Sequence, residues 1–287
     1  MVFPVGSHTV PMVHDARDRP YLLHVPPTAT PDAMPLVVEL HGRGIDAAVF
    51  DRLTGFGRLA DEAGFVLALP SAIGEVWNDG RDPTAAPVDD VGYLAAVIDD
   101  VAARLPIDRR RVYVVGMSNG ATMAGRLACE LPDRIAAIAQ VAGTAAVGVV
   151  AGCHPGRPLP VLQIHGSADR YARYDGGPPQ RPLTRAVLRR PGGRSVGVEA
   201  WAQYWLARNG VRGDAIVEPI PPDTTIRCWQ GSSPASDVVF YRVEGGGHTW
   251  PGSTFHLPQM LFGPTSHTFS ATRVSWAFLA AHSREDR

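Results

Sequence analysis

The sequence predicts an α/β protein with a mostly parallel, doubly wound sheet flanked by helices. Short apolar runs recur along the chain as near-continuous hydrophobic segments, the pattern of strands covered on both faces. Longer stretches with helical periodicity alternate with them. One strand also passes through a tight Gly-containing turn straight into a helix.

The expected strands are Tyr21 to Val25, Leu36 to Leu40, Phe65 to Leu69, Val112 to Val115, Ile135 to Ala139, Val161 to Ile164 and Val238 to Val243. The first is closed by Pro26-Pro27 and the third by Pro70. Between them, Asp90 to Leu105 sets Val91, Leu94, Ala95, Ile98, Val101 and Leu105 on one helical face. Further helices are expected over Asn119 to Leu131, Ser195 to Asn209 and Thr272 to His282. Ser195 offers an N-cap and Gly210 a C′ residue for the third of these. No repeat or linker divides the chain, so residues 1–287 read as a single domain. The least regular stretch is 170–194, which holds seven arginines and reads as a long surface loop.

Composition excludes several classes. The net charge is −1, so a nucleic-acid partner is not expected. All 27 basic residues are arginine, a bias that fits a GC-rich genome. No apolar run reaches the ~18 residues of a membrane span. The first residues, Met1 to Val5, lack a basic region and an apolar core, so they do not read as a signal peptide. The chain then reads as cytoplasmic or as a mature exported form. The three cysteines, Cys129, Cys153 and Cys228, leave at least one unpaired if any disulfide forms. None has zinc-ligand spacing with another Cys or His, so no metal is expected.

The chemistry centres on Gly116-Met117-Ser118-Asn119-Gly120, a G-x-S-x-G pattern. Its position between a strand and a helix is where a strained turn lifts a serine hydroxyl above a sheet. The glycines permit the turn, and the helix N-terminus favours developing negative charge. A serine hydroxyl needs a base. His248, in Gly245-Gly246-Gly247-His248-Thr249-Trp250, follows the last strand and has the freedom to reach Ser118. His267 and His282 are rivals by chain order alone. An acid must hold the imidazole in one tautomer. Asp169 lies at the end of a strand between the two in sequence; Asp175 and Asp237 are its rivals. For the oxyanion, the N–H of Asn119 is one donor. The second comes from His41-Gly42-Arg43-Gly44 and is assigned to Arg43, with Gly42 as the rival. His41 reads as structural. Trp77, in the loop Glu75 to Arg81, and Trp250 are expected at the rim as substrate-binding residues.

Together these segments resemble the polyhydroxybutyrate-depolymerase-like esterases, related to bacterial feruloyl and acetylxylan esterases. The resemblance rests on Leu40-His41-Gly42, Trp77-Asn78-Asp79-Gly80-Arg81, Asp89-Asp90-Val91-Gly92-Tyr93, Val114 to Gly120, Arg126 to Glu130, Ile164-His165-Gly166-Ser167-Ala168-Asp169 and Gly246 to Gly252. It implies an α/β-hydrolase fold, hydrolysis of carboxylic esters, no cofactor, and export, with a cytoplasmic location as the alternative. In the family pattern a cysteine often follows the Asn-Gly pair at Asn209-Gly210, but Val211 stands there. Cys228 is thereby left without its usual partner, and Cys129 with Cys153 is the pairing that remains open. The arginine-rich stretch is also longer than the family leads one to expect.

The expected function is ester hydrolysis through Ser118, His248 and Asp169, on hydroxyalkanoate-type polyesters or oligomers. Feruloyl or acetylxylan esters are the alternative substrates. A peptidase is a further reading on the same fold, and a non-catalytic binding protein is the reading from another class. The absence of a separate polymer-binding module tilts against attack on crystalline polymer. Oligomeric state is not legible.

Overall fold

The computed structural model describes residues 4–29, 32–81, 88–178, 193–255 and 257–284. The arginine-rich stretch therefore lies partly outside the described residues. Twelve strands are described, numbered in chain order: β1 Gly6–Val10, β2 Val13–His14, β3 Arg17–Asp18, β4 Tyr21–Val25, β5 Met34–Leu40, β6 Val66–Pro70, β7 Ile107–Met117, β8 Ala137–Val141, β9 Val161–Gly166, β10 Ile216–Ile220, β11 Thr224–Trp229 and β12 Val238–Val243. Ten of them form one sheet in the order β1-β4-β6-β5-β7-β8-β9-β12-β11-β10; β2 and β3 make a small ribbon. From β6 to β12 every pairing is parallel. β4 and β1 continue the sheet antiparallel at one edge, and β11 and β10 at the other.

Each central strand is buried on both faces, and its alternate residues enter two separate cores. Leu36, Val38, Val112 and Val114 face one core, with Tyr93 and Val97 of α3 (Asp90–Arg104), Leu127 of α4 (Asn119–Glu130) and Trp201 and Trp205 of α6 (Val198–Arg208). Val37, Tyr113 and Val115 face the other. That core holds Phe50 of α1 (Ala47–Thr54), Phe56 of α2 (Phe56–Ala63) and Leu279 of α8 (Ala271–Ala280). Two short helices, α5 (Val147–Gly152) and α7 (Gln259–Phe262), complete the set described.

Most expected elements stand where periodicity put them. The first expected strand, β4, runs antiparallel to its neighbour rather than parallel. α6 starts at Val198 after Gly197, so Ser195 is not its cap; Ser195 instead bridges Ala146 and Gly177. Cys129 and Cys153 form a disulfide, and Cys228 is free. Among the described residues no helix is long and apolar enough to cross a membrane.

Candidate active site

The parallel strands end on one edge of the sheet, and the loops that leave this edge carry the candidate residues. Ser118 sits between β7 and α4 with φ 57° and ψ −115°, a left-handed conformation unusual for a residue with a side chain. Neighbouring glycines allow it. A Cβ on Gly116 would lie 2.6 Å from the Gly120 carbonyl carbon, and one on Gly120 would run into the carbonyl oxygen of Leu40. The elbow is therefore folded tightly on itself and pressed against the end of β5. The Ser118 N–H donates to the Val141 carbonyl at 2.9 Å, and its own carbonyl accepts from the Thr122 N–H at 3.0 Å.

Asp169 follows β9 and His248 follows β12, the adjacent parallel strand. His248 Nδ1 is 2.7 Å from Asp169 Oδ2. The other carboxylate oxygen accepts from the amides of Tyr171 and Ala172 at 2.8 and 2.9 Å. The His248 main chain is pinned by donation to the Phe262 carbonyl at 2.6 Å. Tyr171 lies beside the imidazole, with centroids 5.1 Å apart and the rings tilted, and it also stacks on Phe262. Burial alone would raise the Asp169 pKa. The His248 charge and hydrogen bond, nearby His165 and the amide donors outweigh it and hold the carboxyl below its usual range.

The loop after β5 lies beside the serine: a Cβ on Gly42 would be 3.6 Å from Ser118 Cβ. His41 is buried beneath it. Its Nδ1 donates to the Gly42 carbonyl at 2.8 Å, and its Nε2 accepts from the Ala72 N–H at 3.0 Å. Asn119 opens α4, so its N–H has no partner one turn back in the helix. Its side chain is engaged elsewhere. Oδ1 accepts from the Trp77 N–H at 2.7 Å, and Nδ2 donates to the Trp77 carbonyl at 3.1 Å and to Asp79.

A family model described as Esterase PHB depolymerase matches residues 19–156. A protein of Nocardia uniformis subsp. tsuyamanensis named as an esterase, NocK, is 35% identical over 274 residues, covering 92% of this chain and 79% of that protein. The chain belongs to the esterase PHB depolymerase family. Feruloyl esterase B of Piromyces equi is 27% identical over 222 residues, which span 75% of this chain and 40% of that enzyme. The acetyl xylan esterase of Aspergillus awamori shares the fold at a TM-score of 0.61, with 15% identity over 85% of this chain and 94% of that one. The fold is that of an α/β-hydrolase, and the protein is a carboxylic ester hydrolase. The reading as a non-catalytic binding protein falls with that.

Within this esterase the sheet edge gathers Ser118, Asp169, His248, Asn119 and the Gly42-Arg43 peptide. Among the described residues no hydrogen bond joins Ser118 to His248. Of the rivals, Asp237 is 3.3 Å from His282 Nε2 instead, and His267 and Asp175 are exposed. The rim role expected of Trp77 and Trp250 is corrected: each indole is 1% exposed. Trp77 Nε1 donates to the His41 carbonyl at 3.0 Å. Trp250 Nε1 donates to Thr272 Oγ1 at 3.0 Å, wedged edge-on against Phe50 and Phe56. An indole carries a large apolar area with one donor, so a loop that offers a single acceptor can bury it completely.

Sequence reasoning missed His165. It is buried, donates from Nε2 to the Ala172 carbonyl at 2.6 Å and has Gln163 at its Nδ1, so it closes the turn that feeds two amides to Asp169. A signal was available. The chain twice ends a strand on a buried His-Gly pair, His41-Gly42 after β5 and His165-Gly166 closing β9. Burial pushes the pKa of both histidines down, so both rings are held neutral.

Proposed function

We propose that this esterase works through Ser118, His248 and Asp169 by way of an acyl-enzyme. The observation that carries the reading is the Asp169–His248 bond at the same sheet edge as a serine on a strained elbow. His248 Nε2 takes the Ser118 proton as Oγ bonds to the ester carbonyl carbon. The carbonyl oxygen becomes an oxyanion held by the N–H groups of Asn119 and Arg43. Asp169 stabilises the imidazolium, which then protonates the departing alcohol. Water adds to the acyl-enzyme by the reverse route, restoring Ser118. The Ser118–His248 hydrogen bond commonly tightens only when substrate is bound.

For the substrate we propose hydroxyalkanoate oligomers, as the family's name suggests. Exposed apolar residues support this reading: Met260 at 86% and Leu261 at 42% lie on α7, whose Phe262 adjoins the Tyr171–His248 pair. That apolar lip suits an aliphatic chain leaving the site. A feruloyl ester is the second reading. The Tyr171 ring beside His248 gives the site an aromatic group that a planar aromatic acyl group can contact. Export also belongs to the proposal, since a disulfide such as Cys129–Cys153 persists in an oxidising compartment.

A fluorophosphonate probe tests the core of this reading: it should label wild-type Ser118 and leave Ser118→Ala unlabelled. The same variant should lose on the order of 10⁶ in kcat on a p-nitrophenyl ester. Retention of a tenth of the activity would sink the assignment. A panel of p-nitrophenyl esters, a hydroxybutyrate oligomer, methyl ferulate, acetylated xylan and an amide decides the substrate.

A further inference from the structure

We infer that Trp77, acting with His41 and the Asn119 side chain, is a positioning residue that presets both oxyanion donors as one unit; the inference rests on the esterase mechanism proposed above. The two donors come from distant segments, the Gly42-Arg43 peptide after β5 and the first residue of α4. The β5–β7 pairing brings them side by side but ends at Leu40 and Gly116, short of both donors. Trp77 links them. Its indole Nε1–H donates to the His41 carbonyl at 3.0 Å. Its main-chain N–H and carbonyl grip the Asn119 amide at 2.7 and 3.1 Å. The indole also packs on the His41 ring, with centroids 5.0 Å apart. All three residues are 1% exposed.

His41 carries the effect to the first donor. Ala72 N–H can only donate, so His41 Nε2 accepts; the Gly42 carbonyl can only accept, so Nδ1 bears the proton. Gly42 C=O is thus turned down toward the buried ring. In a planar trans peptide the C=O and the following N–H point in opposite directions. The Arg43 N–H is therefore turned away from the His41 ring, in a loop that lies beside Ser118. A further strut ties the loops together: Gly44 N–H donates to the Glu75 carbonyl at 3.0 Å. For the second donor, the Trp77 grip on the Asn119 amide fixes the rotation of the residue that begins α4. Asp79 takes the remaining Nδ2 proton and is itself held by Arg81 at 2.7 Å. Oxyanion donors work because they need no reorganisation during reaction. A brace that couples the two donors supplies that property.

The discriminating variant is Trp77→Phe, which keeps an aromatic ring but removes the indole N–H together with the second ring, so it is compared at equal folded fraction. The measurements are kcat and KM on a p-nitrophenyl ester, affinity for phenylboronic acid, and Tm. The boronate forms a tetrahedral adduct on Ser118 and so reports the oxyanion hole. We expect kcat to fall about 10-fold or more, since small misplacements at a reacting centre reach about 100-fold. KM should stay within about two-fold, and boronate affinity should fall in parallel with kcat. A second pair guards against misfolding. His41→Asn keeps a donor near the Nδ1 position, whereas His41→Gln places its amide near Nε2. Compared at equal folded fraction, the Asn variant should retain about 10-fold more kcat than the Gln variant. Wild-type kcat and boronate affinity in Trp77→Phe, whatever its Tm, would overturn the inference. So would equal activity in the two His41 variants. Failure of wild-type protein to react with a fluorophosphonate would instead remove the serine mechanism itself, so the two failures are told apart.

Discussion

Asp169 divides its two oxygens between unlike tasks. Oδ1 takes two amide protons and Oδ2 faces His248. An asparagine at this position would keep its oxygen on the amides and turn its NH₂ toward His248 Nδ1. That ring nitrogen would have to accept, which leaves the proton on Nε2, where it cannot take one from Ser118. Asp169→Asn should therefore fold normally and lose about 10⁴ in kcat; activity within ten-fold of wild type would contradict the assigned tautomer. The buried histidines make a second prediction at this scale. His41 and His165 have folded pKa values lowered by burial, below the unfolded value of about 6.5. Below that pH the unfolded chain binds more protons than the folded one. Their contribution to stability is thus complete above about pH 6.5 and is lost as pH falls through the folded values. The Asp169 carboxyl, held below its usual range, adds its own loss only at pH values under about 4. Tm measured against pH should begin to fall below about 6.5, before carboxylates titrate. A flat Tm from pH 8 to 5 would refute it.

At the level of elements, the elbow is defined by contact rather than by propensity. Gly120 approaches the carbonyl of Leu40 at the end of β5 so closely that no side-chain atom fits, and Gly143 after β8 packs against the Ser118 carbonyl. Gly120→Ala should therefore force α4 away from β5. Overpacking of this kind costs about 1–3 kcal/mol, which in a protein of this size lowers Tm by roughly 2–4 °C per kcal/mol. Because Asn119 moves with α4, kcat should fall as well; unchanged Tm and kcat would show the contact to be relaxed elsewhere. The strands were legible where they are buried on both faces. β10 was not, because Ile216–Ile220 lies at the sheet edge with Ile216 and Val217 63% and 59% exposed and Pro219 within it. An edge strand needs no continuous apolar run, so its residues carried no periodic signal. The start of α6 was misread for a related reason: Ser195 has the chemistry of a cap, but tertiary pairing with Ala146 and Gly177 claims it.

Across the whole molecule, the disulfide ties α4 to the segment leading into β9. Cys129 and Cys153 are 24 residues apart, and closing a loop of this size contributes about 3.5 kcal/mol in the chain-entropy account. Thiol titration of the unfolded protein without reductant should find one reactive thiol, Cys228, and three after reduction; three at the outset would show that the pair does not form. The two cores on opposite faces of the sheet place α1, α2 and α8 behind the His248 loop and α3, α4 and α6 behind the serine elbow. The site therefore spans elements supported by both cores, and Trp250 anchors the His248 loop in one of them.

What the chain determined by itself is the order of the parallel strands' contents and the chemistry at their ends. A serine between two glycines after an apolar run, then Asp169, then His248, each follows a buried strand, and burial on two faces leaves a periodic trace that can be read linearly. What only the tertiary structure decided is the use of polar atoms that meet across the sheet edge. Trp77 and Trp250 carry the composition of a substrate rim yet lie at 1% exposure, because each indole N–H finds an acceptor from a distant segment. Hydrogen-bond partners far apart in sequence leave no periodicity, so a brace such as His41–Trp77–Asn119 becomes visible only once the loops are folded against one another.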